Sequence, residues 1–173
     1  MQKITPFLWF DKQAEEAANF YTSIFSAAPV SHSAGKTSKI INVSRYDEAG
    51  AAASGMPKGT AMVVAFELDG LVFTALNAGP HFKFTEAISF VVNCDSQEEV
   101  DYFWDNLSEG GDPKAQQCAW LKDKYGLSWQ IVPQILMKLM SDSDPAKAQR
   151  VTAAMLQMKK IIIADLQKAY DDK

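Results

Sequence analysis

Hydrophobic and polar positions along this chain follow one order twice. Ile4 to Phe10 is mostly apolar and reads as a strand closed by Asp11. After it, Glu15-Glu16-Ala17-Ala18-Asn19-Phe20-Tyr21 opens a helix in which Ala17, Phe20, Tyr21 and Ile24 share one face. Ala87 to Val92 reads as another strand, followed by Asp95-Ser96-Gln97 and then Glu98-Glu99-Val100-Asp101-Tyr102-Phe103-Trp104. Here Val100, Phe103, Trp104 and Leu107 take the places of the four apolar residues in the first helix. Both helices open on paired acids, where the helix dipole favours negative charge.

Each copy continues into β-like segments. In the first they are Ile40 to Arg45, Ala61 to Leu68 and Leu71 to Leu76, with Asp69-Gly70 as a two-residue hairpin turn. In the second they are Gln116 to Lys122 and Leu127 to Val132, joined by Asp123-Lys124-Tyr125-Gly126. The pattern predicts an α+β fold built from two copies of one supersecondary unit. Ala49 to Gly59, rich in Ala, Gly and Ser, reads as a mobile loop. Beyond Pro133 the chain reads as helical. Asp144-Pro145 is a helix start, and Val151, Met155, Met158 and Ile162 form an apolar stripe suited to core or subunit contact.

Composition narrows the class. The chain has 173 residues, 47% of them apolar and 22% charged, which is ordinary for a globular domain that buries its own core. Its 17 basic and 21 acidic side chains give a net charge of -4, and no basic patch argues for nucleic acid or an anionic membrane. Cys94 and Cys118 lack the spacing of a redox or zinc pair. No signal-like segment or spanning run is evident, so a reduced, cytoplasmic protein is expected. Cys118 reads as a small hydrophobe inside a strand, with no His–Asp partner spacing to make it a nucleophile. Asp47, Glu48, Glu67 and Asp69 read as solvated loop or hairpin charges.

Particular stretches resemble a known family. They are Ile4-Thr5-Pro6-Phe7-Leu8-Trp9-Phe10-Asp11, the helix end Asn19-Phe20-Tyr21-Thr22-Ser23-Ile24-Phe25, and Trp120-Leu121-Lys122-Asp123-Lys124-Tyr125-Gly126-Leu127-Ser128-Trp129-Gln130-Ile131-Val132-Pro133. Together they are similar to the PhnB-like branch of the vicinal oxygen chelate superfamily, which includes glyoxalase I, fosfomycin- and bleomycin-resistance proteins and extradiol dioxygenases. The resemblance implies paired βαβββ modules, each a half-barrel with a ligand pocket on its concave face, and commonly a homodimer. One domain over residues 1–173 is expected, with module one at about 1–80, module two at about 86–133 and C-terminal helices over 134–173.

The same resemblance bears on chemistry. Members of the branch carry a 3-demethylubiquinone methyltransferase label, but the nine glycines here include no GxG turn of the kind that lets backbone approach a methyl donor; Gly110-Gly111 follows a helix. In metal-using relatives, His and Glu ligands come from the first and last strands of each module. Carried over, those positions fall on Thr5, about Thr74, Ala87 and Gln130. A catalytic divalent site needs about three protein ligands, and these side chains supply no imidazole or carboxylate. No metal and no cofactor are expected.

Strand alternation puts Thr5, Phe7 and Trp9 on one face and Leu8 and Phe10 on the other. By resemblance the first set faces the concavity, with Thr74, Asn77, Ser128 and Gln130 as neutral hydrogen-bonding neighbours. Phe7, Trp9 and Trp129 either fill the core or line an aromatic cleft for a flat or partly apolar small molecule. His32 reads as a loop residue. His81, between the modules, is a surface residue or, with Gln130, a candidate for proton transfer or hydrogen bonding. The leading expectation is a metal-independent small-molecule binding or sequestering protein. An isomerase, lyase or transferase using Gln130, Asn77 and His81 is the alternative. A third reading is an assembly module acting through its C-terminal helices.

Overall fold

The computed structural model describes residues 2–29 and 37–172. The chain divides into two compact units, Met1–Phe84 and Thr85–Lys173, and no helix among the described residues is long and apolar enough to cross a membrane.

The first unit contains β1 (Phe7–Phe10), α1 (Ala14–Ser26), β2 (Lys39–Arg45), α2 (Glu48–Ser54), β3 (Ala61–Leu68) and β4 (Leu71–Asn77). Its sheet has the order β1-β4-β3-β2, with β1 parallel to β4 and the other pairs antiparallel. Asp69 and Gly70, both at positive φ (47° and 80°), close the β3–β4 hairpin as the Asp-Gly signal requires. Helix α1 packs on β2, β3 and β4. Its buried Ala17, Tyr21 and Ile24 meet a sheet face made of Leu8, Phe10, Val64, Phe66, Phe73 and Ala75.

Two local expectations are corrected. The first strand begins at Phe7, not Ile4. Pro6 offers no N–H for a ladder, although its carbonyl still accepts from the Thr74 N–H at 3.0 Å. Thr5 therefore lies before the strand and is exposed. The Ala49-to-Gly59 stretch is no simple loop either, because it holds all of α2 except its first residue, Glu48. Asp47 caps that helix by accepting from the Gly50 N–H at 2.8 Å, its four alanines favour helix, and Gly55 at φ 74° ends it.

The second unit contains β5 (Ser89–Cys94), α3 (Gln97–Ser108), a 3-10 turn (Pro113–Ala115), β6 (Trp120–Lys122), β7 (Ser128–Pro133), α4 (Gln134–Met140), α5 (Pro145–Met155) and α6 (Ile163–Asp171). Its sheet order is β5-β7-β6, again with the first strand parallel to the last. Helix α3 buries Val100, Phe103, Trp104 and Leu107, the four positions that match the first helix. Ser96 caps it through the Glu99 N–H, while the buried Glu99 carboxylate accepts from the Asp95 N–H at 2.6 Å.

The expected strand over Gln116 to Lys122 is shorter than predicted. Gln117 and Trp120 exchange both backbone hydrogen bonds across a turn whose centre is Cys118 and Ala119, at φ 48° and 73°. Cys118 is thus a half-buried turn residue and not a strand residue. Left-handed backbone is uncommon for either residue type. It is held here because their two N–H groups donate to the carbonyls of Met158 and Lys159 at 2.9 Å each. Module two therefore has three strands where the βαβββ pattern calls for four.

The expected apolar stripe over 151–162 is also interrupted, since α5 stops at Met155. Val151, Leu136, Leu139, Ile161, Leu166 and Ala119 form one buried cluster, with Met155 and Met158 packed against it. Those methionines complete the core of the second unit. Lys160 ties the same segment to α3 through Asp101 at 2.9 Å and Asp105 at 3.4 Å.

Candidate functional site

Each sheet has one face covered by its own helix and one opposite face that the helix does not reach. In the first unit, register defines two rows on that open face: Phe7–Thr74–Ala65–Asn42 and Trp9–Leu76–Val63–Ser44. Phe7 is 60% exposed, whereas its strand neighbours Leu8 and Phe10 are 5% and 4% exposed on the helix side. Trp9 is held rather than loose. Its indole Nε1 donates to the Gly79 carbonyl at 2.9 Å, and its ring meets Phe82 edge-on at a centroid distance of 4.9 Å. The result is an aromatic surface with Thr74 as its central hydroxyl.

Asn77 does not join it. Alternation puts this residue beside Phe10 on the helix side, where it is 1% exposed. Its Oδ1 accepts from the Ala14 N–H at 2.7 Å, its Nδ2 donates to the Ala61 carbonyl at 2.9 Å, and its own carbonyl accepts from the Tyr46 hydroxyl at 2.5 Å. Gln13 supplies no side-chain cap to α1, and Asn77 does so from a strand 63 residues away. The expectation of a ligand-binding Asn77 is corrected: its polar atoms are committed to the frame, which also removes it from the enzymatic alternative.

His81 is exposed, with its ring against Gly79, where an added Cβ would lie 3.5 Å from Nε2. His32 lies outside the described residues.

In the second unit the open face carries Ser89, Val91 and Asn93 of β5, Ser128 and Gln130 of β7, and Trp120 and Lys122 of β6, while Val132 at the end of β7 packs against the C-terminal cluster. Gln130 Nε2 donates to the Ser89 hydroxyl at 2.9 Å. Lys122 pairs with Glu86. Ser128 is 1% exposed and its Oγ has no hydrogen-bond partner among the described residues. Trp129 points the other way and is core: it is 2% exposed and donates from Nε1 to Asp123 at 2.9 Å. Asp123 also accepts from the N–H groups of Tyr125 and Leu127, which fixes the β6–β7 connection. Sequence reasoning missed Ser89 and Lys122. Their signal is the alternation around Leu121 and the parallel register of β5 on β7.

The metal positions do not fit a divalent ion. Thr5 is exposed ahead of β1, Ala87 has no donor atom, Thr74 offers a hydroxyl, and Gln130 offers an amide already bonded to Ser89. Among the described residues, no three His, Cys, Asp or Glu side chains converge closely enough to hold a metal. The Cys94 thiol is no nucleophile at neutral pH, because burial, with smaller contributions from Glu99 and Asp95, pushes it up to about 12.

A family model described as 3-demethylubiquinone-9 3-methyltransferase matches residues 2–132. The chain belongs to this 3-demethylubiquinone-9 3-methyltransferase family. A PhnB protein from Bacillus cereus carrying the same description is 37% identical, with a TM-score of 0.62, over 76% of this chain and 99% of that one. A protein from Pseudomonas aeruginosa shares 19% identity at a TM-score of 0.55 over 77% and 98% of the two chains. The fosfomycin resistance protein FosX of Listeria monocytogenes shares 12% identity at a TM-score of 0.50 over 79% and 94%. The fold is that of the glyoxalase and bleomycin-resistance superfamily of vicinal oxygen chelate proteins. No curated protein matches the chain.

The family description names a methyl transfer, which calls for a methyl donor. The turns from β1 into α1, Asp11-Lys12-Gln13, and from β5 into α3, Asp95-Ser96, contain no glycine. Helix amides at both are already occupied, Ala14 by Asn77 and Glu99 by Ser96. These turns do not fit the glycine-rich cradle of a typical donor site. Helices α4 to α6 lie beyond the matched region and are an addition to the family unit in this chain.

Proposed function

We propose that this family member binds a flat, partly apolar small molecule on its open sheet faces without using a metal ion. The observation that carries the reading is Phe7. A phenylalanine 60% exposed on a sheet face, beside a hydrogen-bonded Trp9 and a central Thr74, leaves in water an apolar surface whose burial would contribute about 2 kcal/mol. On the first unit's face the aromatic rows suit a planar ring and Thr74 suits its oxygen substituents, and on the second unit's face Gln130 offers an amide to the same kind of group. A demethylated ubiquinone, the compound named in the family description, is a molecule of that class.

The test is quenching of tryptophan fluorescence by a short-tailed hydroxybenzoquinone, with and without EDTA. Saturable quenching unaffected by EDTA is expected. Trp9→Ala and Phe7→Ala should each weaken it about tenfold, the scale of about 1.4 kcal/mol for a lost aromatic contact. Quenching abolished by EDTA would make the binding metal-dependent. Affinity unchanged in both variants would remove the first unit's open face from the site.

A further inference from the structure

The open face of the second unit holds a polar row. Ser128 of β7 lies opposite Ser89 of β5 on one side and Lys122 of β6 on the other. The three side chains therefore stand abreast on one face, about 5 Å apart by the usual strand spacing. Ser128 is 1% exposed, and its hydroxyl has no hydrogen-bond partner among the described residues. A fully buried hydroxyl left unpaired is rare in native structures and asks for an explanation.

Its neighbours supply one. Because Gln130 donates to Ser89 Oγ, the Ser89 hydroxyl proton remains available to donate. Lys122 is 24% exposed, and its ammonium is paired with Glu86, which is 61% exposed and sits before the start of β5. Two hydroxyl donors and a cation thus line one row, and a surface carboxylate occupies the cation. Trp120, in register with Gln130, adds a flat wall on the same face.

We infer that Ser89, Ser128 and Lys122 form a subsite for an anionic oxygen of the ligand, a carboxylate or ionised phenol, which displaces Glu86 from Lys122 and takes the hydrogen bond that Ser128 lacks. The inference rests on the small-molecule reading above and adds the ligand's charge to it. Glu86 acts as a place-holder. A neutral ligand cannot replace its charge, and an anionic one can.

The experiment titrates the full ¹⁵N-labelled chain with benzoate and with benzamide, a matched anionic and neutral pair, and follows amide shifts by NMR. Benzoate should bind at least tenfold more tightly than benzamide, with shifts at Ser89, Lys122, Ser128 and Gln130. Lys122→Gln should abolish that preference. Glu86→Gln, a change at an exposed position, should strengthen benzoate binding several-fold by freeing Lys122. Ser128→Ala should weaken benzoate about tenfold while leaving the melting temperature equal or higher.

Equal affinities for the two probes in the wild-type chain, with shifts confined to Phe7, Trp9 and Thr74, would overturn the subsite and leave the small-molecule reading standing. A benzoate preference that survives Lys122→Gln would overturn it as well. Absence of shifts with either probe would count against both readings.

Discussion

Replacing Asn77 by alanine removes both ends of a buried amide that links β4 to α1 and β3. The Ala14 N–H loses the acceptor 2.7 Å away that caps α1, and a missing cap costs about 1 kcal/mol. The Ala61 carbonyl loses the donor 2.9 Å away, and a buried acceptor left unpaired costs about 1–3 kcal/mol. Taken together the substitution should destabilise the protein by about 3 kcal/mol, or about 6–12 °C in Tm for a chain of this size. Thermal and urea unfolding followed by circular dichroism would measure it.

Asn77→Asp refines the test. The introduced carboxyl can still accept from the Ala14 N–H, but when ionised it faces the Ala61 carbonyl as a second acceptor. Its folded-state pKa is therefore raised above that of an unfolded aspartate. The variant should lie nearest to wild type in acid, where the carboxyl is protonated and can donate. It should fall away as pH rises from about 4 toward neutrality. An alanine variant that melts within 2 °C of wild type but loses ligand affinity would refute the framework role and return Asn77 to the binding site.

Further predictions follow from the packing and the charges. A Cβ on Gly111 would lie 2.0 Å from the Lys122 carbonyl oxygen, a backbone atom, so Gly111→Ala should cost about 3 kcal/mol or more and displace β6; chemical unfolding would show it, and an unchanged midpoint would contradict the close approach. With the Cys94 thiol at about 12, a thiol reagent at pH 8 should modify Cys118 alone until the chain unfolds. The folded state also keeps that proton while the unfolded chain loses it above about pH 9, so Cys94 should lower stability progressively from there toward pH 12, and Cys94→Ala should flatten the loss. Lys160 holds the Asp101 carboxyl below its usual range, chiefly by hydrogen bonding, and the contribution should be present above about pH 4 and lost as pH falls. Because the pair is partly solvated, Lys160→Ala should cost only about 0.5–1 kcal/mol, read as a small shift in urea midpoint.

The parts of the fold that were legible in the sequence rest on short-range rules. Alternation separated Phe7 and Trp9 from Leu8 and Phe10, Asp69-Gly70 marked the hairpin, and matching helical faces exposed the repeat. The parts that were not legible depend on distant partners. Nothing local in Gln117-Cys118-Ala119-Trp120 announces a left-handed turn; it is stabilised by carbonyls about forty residues away in a segment that follows α5. The Ala-rich α2 was hidden by Gly50, Gly55 and Gly59, although Asp47 was there to cap it. Asn77 is a different case. The alternation from Thr74 already placed it on the helix side, but a polar residue at a strand end drew a binding role. Its true use, capping α1 from across the sheet, shows only in three dimensions. Likewise Ser89 and Lys122 become neighbours of Ser128 only once strand register is known.

The most direct measurement of metal-free ligand binding is native mass spectrometry of the full chain, purified without added metal or chelator. The expected spectrum shows the protein with a substoichiometric or full organic adduct and no divalent ion at stoichiometric occupancy. A divalent metal retained at one per chain would contradict it, because Thr74, Gln130, Ala87 and Thr5 offer no donor set to explain that ion.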